Sequence, residues 1–206
     1  MRRTHCQVDD PRKMGEILDQ CLIGRMATVD AQGYPYITPV NFVYHQGKIY
    51  FHCALKGEKL DNIERDNKVG FEADIPLSYL EVGFNEEPSP CKTHQLFHSV
   101  VIRGTARVVP AGDLKIEALN ALVAKHEGNT DFPPVTEDLP AYKIAHVVEI
   151  TPDTMTGKSD LVQKKTDDER RVLANQLAER GRPEDLESVK ALGFDLIREN
   201  DAWRAK

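Results

Sequence analysis

The sequence predicts a mainly antiparallel β fold with flanking helices, closed or nearly closed into a small six-stranded barrel. Three observations predict it. Turn signals recur at short spacing, Asp30-Ala31-Gln32-Gly33 and then His45-Gln46-Gly47-Lys48, between runs rich in aromatic and β-branched residues. Residues 68–75 alternate strictly, Val69, Phe71, Ala73 and Ile75 against Lys68, Gly70, Glu72 and Asp74, which is one buried and one wet strand face. Strands on turns this short carry exposed edges, and closure removes them. A two-sheet sandwich is the alternative packing.

Residues 11–22 predict a helix, with Met14, Ile17, Leu18, Cys21 and Leu22 at spacings of three and four, Asp9 or Asp10 as its cap and Gly24 as its stop. Strands are predicted over 25–29, 36–44 and 49–53, joined as two hairpins, and Pro39 marks the second as an edge or a bulge. A short helix over 55–65 leads to the alternating strand at 69–75. Residues 80–83 read as a possible strand and 85–90 as a loop. A long strand over 95–109 puts Val100, Ile102, Ala106 and Val108 on one face and Arg103, Thr105 and Arg107 on the other. A helix opens at Gly112-Asp113 and runs to Lys125. Three prolines make 129–140 a loop, and 142–151 is the last strand. The tail differs in kind. Of the 48 residues from 159 to 206, 10 are Lys or Arg and 11 are Asp or Glu. This density predicts two short helices, split at Gly181-Arg182-Pro183, that bury little. The expected organisation is a domain over 1–158 and a charged helical extension over 159–206.

The chain has 206 residues, 27 of them Lys or Arg and 33 Asp or Glu, for a net charge of −6. That balance argues against nucleic acid as a partner, since no basic excess is left to neutralise phosphates. No apolar run is long enough to span a membrane, and no signal-peptide core follows the basic start. Cysteines at 6, 21, 53 and 91 form no paired motif, which fits a reducing, cytoplasmic location.

The most informative stretch for chemistry is Ile49 to Leu60, a strand that passes through a small-residue turn into a helix. Gly57 permits close backbone approach, and the helix start presents unpaired N–H groups. Lys56 and Lys59, three apart, add two ammonium groups, a combination that suits a phosphate. A solvated helix carrying surface lysines fits the same pattern, and no Walker order is present. Arg25 can meet a phosphate bidentately or be an ordinary edge arginine. Ser99 and Arg103 share a face of the long strand, where Ser99 is either a donor to a ligand or a plain polar residue. Cys91, His94 and His98 are zinc-type ligands, but a structural site wants four, and His5, Cys6 or His52 would have to complete it; no metal is assigned. No Gly-x-Ser-x-Gly and no Gly-x-Gly-x-x-Gly occur, which disfavours a serine hydrolase and a Rossmann fold.

Four runs carry a family resemblance: Gly24-Arg25-Met26-Ala27-Thr28-Val29, Gly33 to Tyr44, Gly47-Lys48-Ile49-Tyr50-Phe51-His52-Cys53-Ala54, and Gly57-Glu58-Lys59-Leu60. Together they resemble the pyridoxamine 5′-phosphate oxidase-like superfamily and, within it, the nitroimidazole-resistance (Nim-like) flavoproteins. His98-Ser99-Val100-Val101-Ile102-Arg103-Gly104 is similar to the same group, and the likeness covers about residues 14–151. The resemblance implies an FMN-binding split barrel and a homodimer with flavin at the interface, acting on a small-molecule substrate. It implies flavin contacts from Arg25, Met26, Ala27 and Thr28, from His52, Cys53 and Ala54, and from Ser99. It puts the phosphate at Lys59 with Lys56 as helper, and it makes His52 the residue linked to activity. The implied function is an FMN-dependent, nitroreductase-like oxidoreductase. Competing readings are a haem-binding split barrel, with His52, His94 or His98 on iron, a deazaflavin in place of FMN, and a flavin binder without catalysis. Two departures from pyridoxamine oxidases proper argue against vitamin B6 oxidation. The expected basic pair reads Glu58-Lys59, and the C-terminal Trp and Arg region is not recognisable around Trp203 and Arg204.

Overall fold

In the computed structural model, which describes residues 3–84, 89–128, 132–199 and 202–206, the chain runs through β1 (Gln7–Val8), α1 (Pro11–Gln20), β2 (Ile23–Val29), β3 (Pro35–Asn41), β4 (Val43–His45), β5 (Lys48–Ala54), α2 (Glu58–Arg65), β6 (Lys68–Leu80), β7 (His94–Val108), α3 (Asp113–Glu127), α4 (Pro140–Lys143), β8 (Ala145–Asp160), α5 (Asp167–Arg180), α6 (Pro183–Ala191), β9 (Leu196–Glu199) and β10 (Ala202–Ala205). Hydrogen bonding orders the strands β3-β2-β6-β7-β8-β5-β4, adds β1 on β8, and pairs β9 with β10 separately. The fold is the expected one, a mainly antiparallel sheet with flanking helices. The strand number is eight rather than six, and the hydrogen-bonded path is open at β3 and β4. One extra strand arises because the run 36–44 breaks at Phe42. That ring turns into the core, edge-on to Phe71 at 4.9 Å between centroids. The other is β1.

Local signals account for most boundaries. Asp10 caps α1 by accepting from the Arg12 N–H at 2.9 Å, with Pro11 in the first turn. Pro39 sits in β3, which among the described residues pairs only with β2 and so is an edge. Strand β6 outruns its predicted end at 75, and Pro76 lies beyond the stretch that pairs with β2, Arg25↔Glu72 to Ala27↔Gly70. Tyr142, expected in the last strand, stands instead in α4. There its hydroxyl accepts from the Gly112 N–H at 2.8 Å and its carbonyl from Lys115 Nζ at 2.7 Å. Residues 82–84 form a short 3-10 turn rather than a strand. Of the predicted loops, residues 85–88 and 129–131 lie outside the described residues.

Two units are distinguished by their packing: Asp10–Asp74 with Val100–Thr156, and Met1–Asp9 with Ile75–Ser99 and Gly157–Lys206. In the first, α3 covers β4 and β5. Val43, Tyr50, Val109, Ala118, Leu122 and Val147 form the buried cluster beneath it. A Cβ at Gly104 would overlap the Thr151 carbonyl of β8, which is why that strand position carries no side chain. In the second unit the tail corrects the expectation that it buries little. Leu173, Ala174, Leu177 and Ala178 of α5 and Val189 of α6 pack on Leu77, Leu80 and Leu96. The predicted break between its helices is real, with Gly181 left-handed at φ 68° closing α5 and Pro183 opening α6. Among the described residues no helix is long and apolar enough to cross a membrane.

Candidate functional site

The strand-turn-helix stretch singled out in the sequence is built by β5 and α2. In β5, Ile49, Tyr50 and Phe51 are buried, while His52 and Ala54 are exposed and Cys53 is half-buried. The register His52↔Val147, Cys53↔His146, Ala54↔Ala145 fixes this end of the strand against β8. Leu55, Lys56 and Gly57 then leave the strand as a turn, so the helix starts at Glu58 rather than at 55. Gly57, at φ 148°, adopts a backbone that L side chains avoid, and a Cβ there would point into open space. It gives α2 no side-chain cap. Its carbonyl accepts from the Leu60 and Asp61 N–H groups. The Glu58 and Lys59 N–H groups thus begin the helix with no side-chain cap, beside the Lys56 and Lys59 ammonium groups and with the Glu58 and Asp61 carboxylates in the same turn, a start at which an anion can be held by backbone donors. Burial pushes the Cys53 thiol up, and the nearby Lys59 ammonium works against that shift.

Helix α2 is locked to β2 from below. The Asn62 amide donates to Thr28 Oγ1 at 3.0 Å, both groups buried, and the Arg65 guanidinium donates to the Val29 carbonyl and, at 3.0 Å, to Asn62 Oδ1. Thr28 thus supports the helix, and Met26 is wholly buried in the core. Strand β2 pairs with β3 along its whole length and with β6 over residues 25–27. What it turns to solvent is Ile23, Arg25 and Val29 and, in part, Ala27. Arg25 Nη1 lies 2.9 Å from Glu72 Oε2 and 2.5 Å from Asp74 Oδ1. Two carboxylates already share that guanidinium, so a phosphate there would meet net negative charge.

The structure therefore brings together His52, Cys53, Ala54, Lys56 and Lys59, with Thr28 behind them. Ser99 is half-buried on β7 and belongs to the second unit. The cysteine and histidines weighed as metal ligands disperse: Cys91 is exposed, His94 Nε2 lies 2.9 Å from Asp160 and His98 Nδ1 lies 2.7 Å from Ser159 Oγ. Beside α2 is a cleft of about 740 Å³, whose wall includes Lys56, Leu60, Arg65, Arg107 and His146. Sequence reasoning missed one cluster near it. Glu149, with 2% of its side chain exposed, accepts from Tyr50 Oη at 2.9 Å and Arg107 Nε at 2.7 Å and pairs with Lys48 at 3.2 Å. The available signal was an acid inside the apolar run Val147-Val148-Glu149-Ile150.

Comparison with known proteins adds to this geometry. The family model for pyridoxamine 5′-phosphate oxidase matches residues 10–159. A Streptomyces rimosus 5a,11a-dehydrotetracycline/5a,11a-dehydrooxytetracycline reductase is 29% identical over 93 residues, which span 43% of this chain and 56% of that protein. Among solved structures, a Bacteroides thetaiotaomicron protein assigned to 5-nitroimidazole antibiotic resistance superposes with a TM-score of 0.62 at 22% identity, covering 74% of this chain and 85% of that one. The FAD and heme binding protein of Mycobacterium smegmatis gives a TM-score of 0.65 at 16% identity, over 80% and 78% of the two chains. The flavocytochrome Anf3 of Azotobacter vinelandii gives 0.64 at 18%, over 78% and 72%.

Proposed function

The chain belongs to the pyridoxamine 5′-phosphate oxidase family, and on that premise we propose that it binds FMN and serves as an FMN-dependent oxidoreductase of the nitroreductase type. The observation that carries the reading is the uncapped start of α2, flanked by Lys56 and Lys59 and opened by Gly57. It suits a phosphomonoester through the uncapped helix start, two ammonium groups and open space at Gly57, which together outweigh the Glu58 and Asp61 carboxylates of the same turn. When bound, the flavin supplies the electron transfer.

The protein's own residues hold and orient it. Lys59 and the helix start take the phosphate, and Lys56 assists. Cys53, Ala54 and Ala27 offer small side chains against which a flat ring can lie. Met26 and Thr28, whose side chains are buried, with Thr28 fastening α2 through Asn62, contact the flavin through their main chain. Arg25 borders the ring with its charge already balanced by Glu72 and Asp74. His52, exposed on β5, offers its imidazole N–H to the substrate as a proton donor.

The test is the chromophore. Gently purified protein is expected to show flavin bands near about 370 and 450 nm and to turn over a nitroaromatic acceptor with a nicotinamide donor. Colourless protein that stays so after soaking in FMN overturns the reading. Lys59→Ala removes one charge-assisted bond and is expected to weaken FMN binding by roughly 10- to 100-fold in a fluorescence titration. An unchanged dissociation constant would reject the phosphate assignment.

A second copy completes the site. The outward side chains of β2 and β3 include Ile23, Val29 and Ile37 at 51%, 47% and 63% exposure, and Ala27 and Ile37 sit in register. An apolar sheet face of this kind is what a partner covers. Ile37→Glu is expected to shift the protein from dimer to monomer in analytical ultracentrifugation and to release its flavin. A wild-type monomer would remove the interface. Four free thiols fit a cytoplasmic protein.

A further inference from the structure

The second unit contains a cleft of about 470 Å³ that the reading above does not use, lined by Arg3, His5, His94, Lys164 and Lys165 around Asp160. The Asp160 side chain is 6% exposed. It lies 3.4 Å from Arg3 Nη1, 2.9 Å from His94 Nε2 and 3.7 Å from Lys158 Nζ. One buried carboxylate thus gathers a guanidinium, an ammonium and an imidazole, and Lys164 and Lys165 add two more ammonium groups at the rim. Glu169, 3.8 Å from Lys165 Nζ, offsets only part of that charge. The balance stays positive with both histidines neutral.

The turn that brings the lysines there is strained. Val162 has φ 51°, a left-handed backbone that a β-branched residue rarely adopts. The turn is held by Gln163, which accepts from the Leu161 N–H at 3.0 Å and donates to the Ser159 carbonyl at 2.5 Å. Strain kept by such fastening marks a position where the backbone is set for something other than its own stability. A second cleft, of about 960 Å³, shares Val162, His94 and Lys165 with the first and continues onto Leu80, Phe84 and Leu173.

We propose that this pair of clefts binds an aryl phosphate, a small molecule with a phosphomonoester at one end and a flat apolar group at the other. The phosphate lies among Arg3, Lys164 and Lys165, and the ring lies toward Phe84. Multidentate cationic donors over a shaped floor suit a dianion, and a single apolar flank gives the orientation.

Phenyl phosphate and inorganic phosphate, titrated into the full-length protein at fixed ionic strength and followed by calorimetry, test the site. Phenyl phosphate is expected to bind once per chain with a dissociation constant below about 1 mM, and more tightly than inorganic phosphate. The double change Lys164→Ala, Lys165→Ala is expected to weaken it about tenfold or more. Phe84→Ala is expected to erase the preference for the ring while leaving inorganic phosphate unaffected, which separates a local role from a folding defect. Lys59→Ala, at the flavin turn, is expected to leave phenyl phosphate affinity within about twofold, because that site lies in the other unit. The proposal is overturned by absence of binding to the wild type, by a double variant that binds as well as the wild type, or by a loss that follows Lys59→Ala instead.

Discussion

Replacing Asp185 with alanine is expected to destabilise the unit that contains α5 and α6 by about 3–5 kcal/mol, the usual result of orphaning one member of a buried ion pair. Asp185 is fully buried and Arg180 is 17% exposed, with Nη2 2.6 Å from Oδ1 and Nε 2.8 Å from Oδ2. The carboxylate also accepts from Ser78 Oγ at 2.6 Å and from the Arg182 N–H at 3.1 Å. Ser188 extends this network by accepting from the Ser78 N–H at 2.8 Å. Without the carboxylate, the guanidinium is left largely desolvated, with Glu81, the Tyr79 carbonyl and the Phe84 ring, 4.7 Å from its centre, as its remaining partners among the described residues. Arg180 and the other donors hold the Asp185 carboxyl below its ordinary range despite its burial. Trp203, the single tryptophan of the chain, lies on β10 in the same unit. Its fluorescence during urea unfolding reports the loss. Asp185→Asn keeps the shape and some acceptor capacity, and should fall between alanine and wild type. A change below about 1 kcal/mol for Asp185→Ala would show that the pair is not a fastening point.

The network explains why the composition of the tail conceals its burial. The charge count of residues 159–206 measures what the surface carries, while burial depends on where the apolar residues fall. Leu173, Ala174, Leu177 and Ala178 recur at helical spacing and make a narrow buried stripe. Two of the four are alanines, which contribute little to any hydrophobic average yet let a helix approach closely. Some of the tail's charges also turn inward, Asp185 above all. The central strands were legible for the opposite reason. Val69, Phe71 and Ala73 are buried and Lys68 exposed, a period of two that depends on nothing distant. The extensions of β6 to Leu80 and β8 to Asp160 were not legible, because pairing with strands far along the chain sustains them through Pro76 and Pro152, where local propensity opposes them.

The candidate site divides in the same way. The turn around Gly57 was legible because it lies within one stretch of sequence and needs a residue without a side chain. The roles of β2 were not, since they depend on what sits beside it. Arg25 is matched by Glu72 and Asp74 on β6, and Thr28 by Asn62 on α2, partners 47, 49 and 34 residues away. A sequence pattern names residue types that suit a phosphate. Only the neighbours decide whether a guanidinium still has charge to give.

Glu149 offers the test of the same idea in the first unit, this time through pH. Its carboxylate satisfies Tyr50, Arg107 and Lys48 together. Burial alone would raise its pKa, yet hydrogen bonds from Arg107, Tyr50 and Lys48 outweigh that and hold it below the ordinary carboxylate range. The folded state therefore binds the proton less readily than the unfolded chain. Such a group stabilises fully above the unfolded value, near about 4.3, and that contribution disappears as pH falls through the lower folded value. Glu149→Gln is expected to cost about 2–4 kcal/mol at pH 7, through the lost charge-assisted bonds and a poorly matched buried amide. The tyrosine contributes to the cost, for burial and the neighbouring carboxylate push the Tyr50 hydroxyl well up, so it stays a donor throughout. As acid protonates Glu149 in the wild type, the two proteins should converge. Urea unfolding followed by circular dichroism at pH 7 and at about pH 3 reads this directly. A difference of equal size at both values would mean that the cost comes from the mismatched amide and not from the lost charge, and that Arg107 and Lys48 are surface cations that happen to lie close.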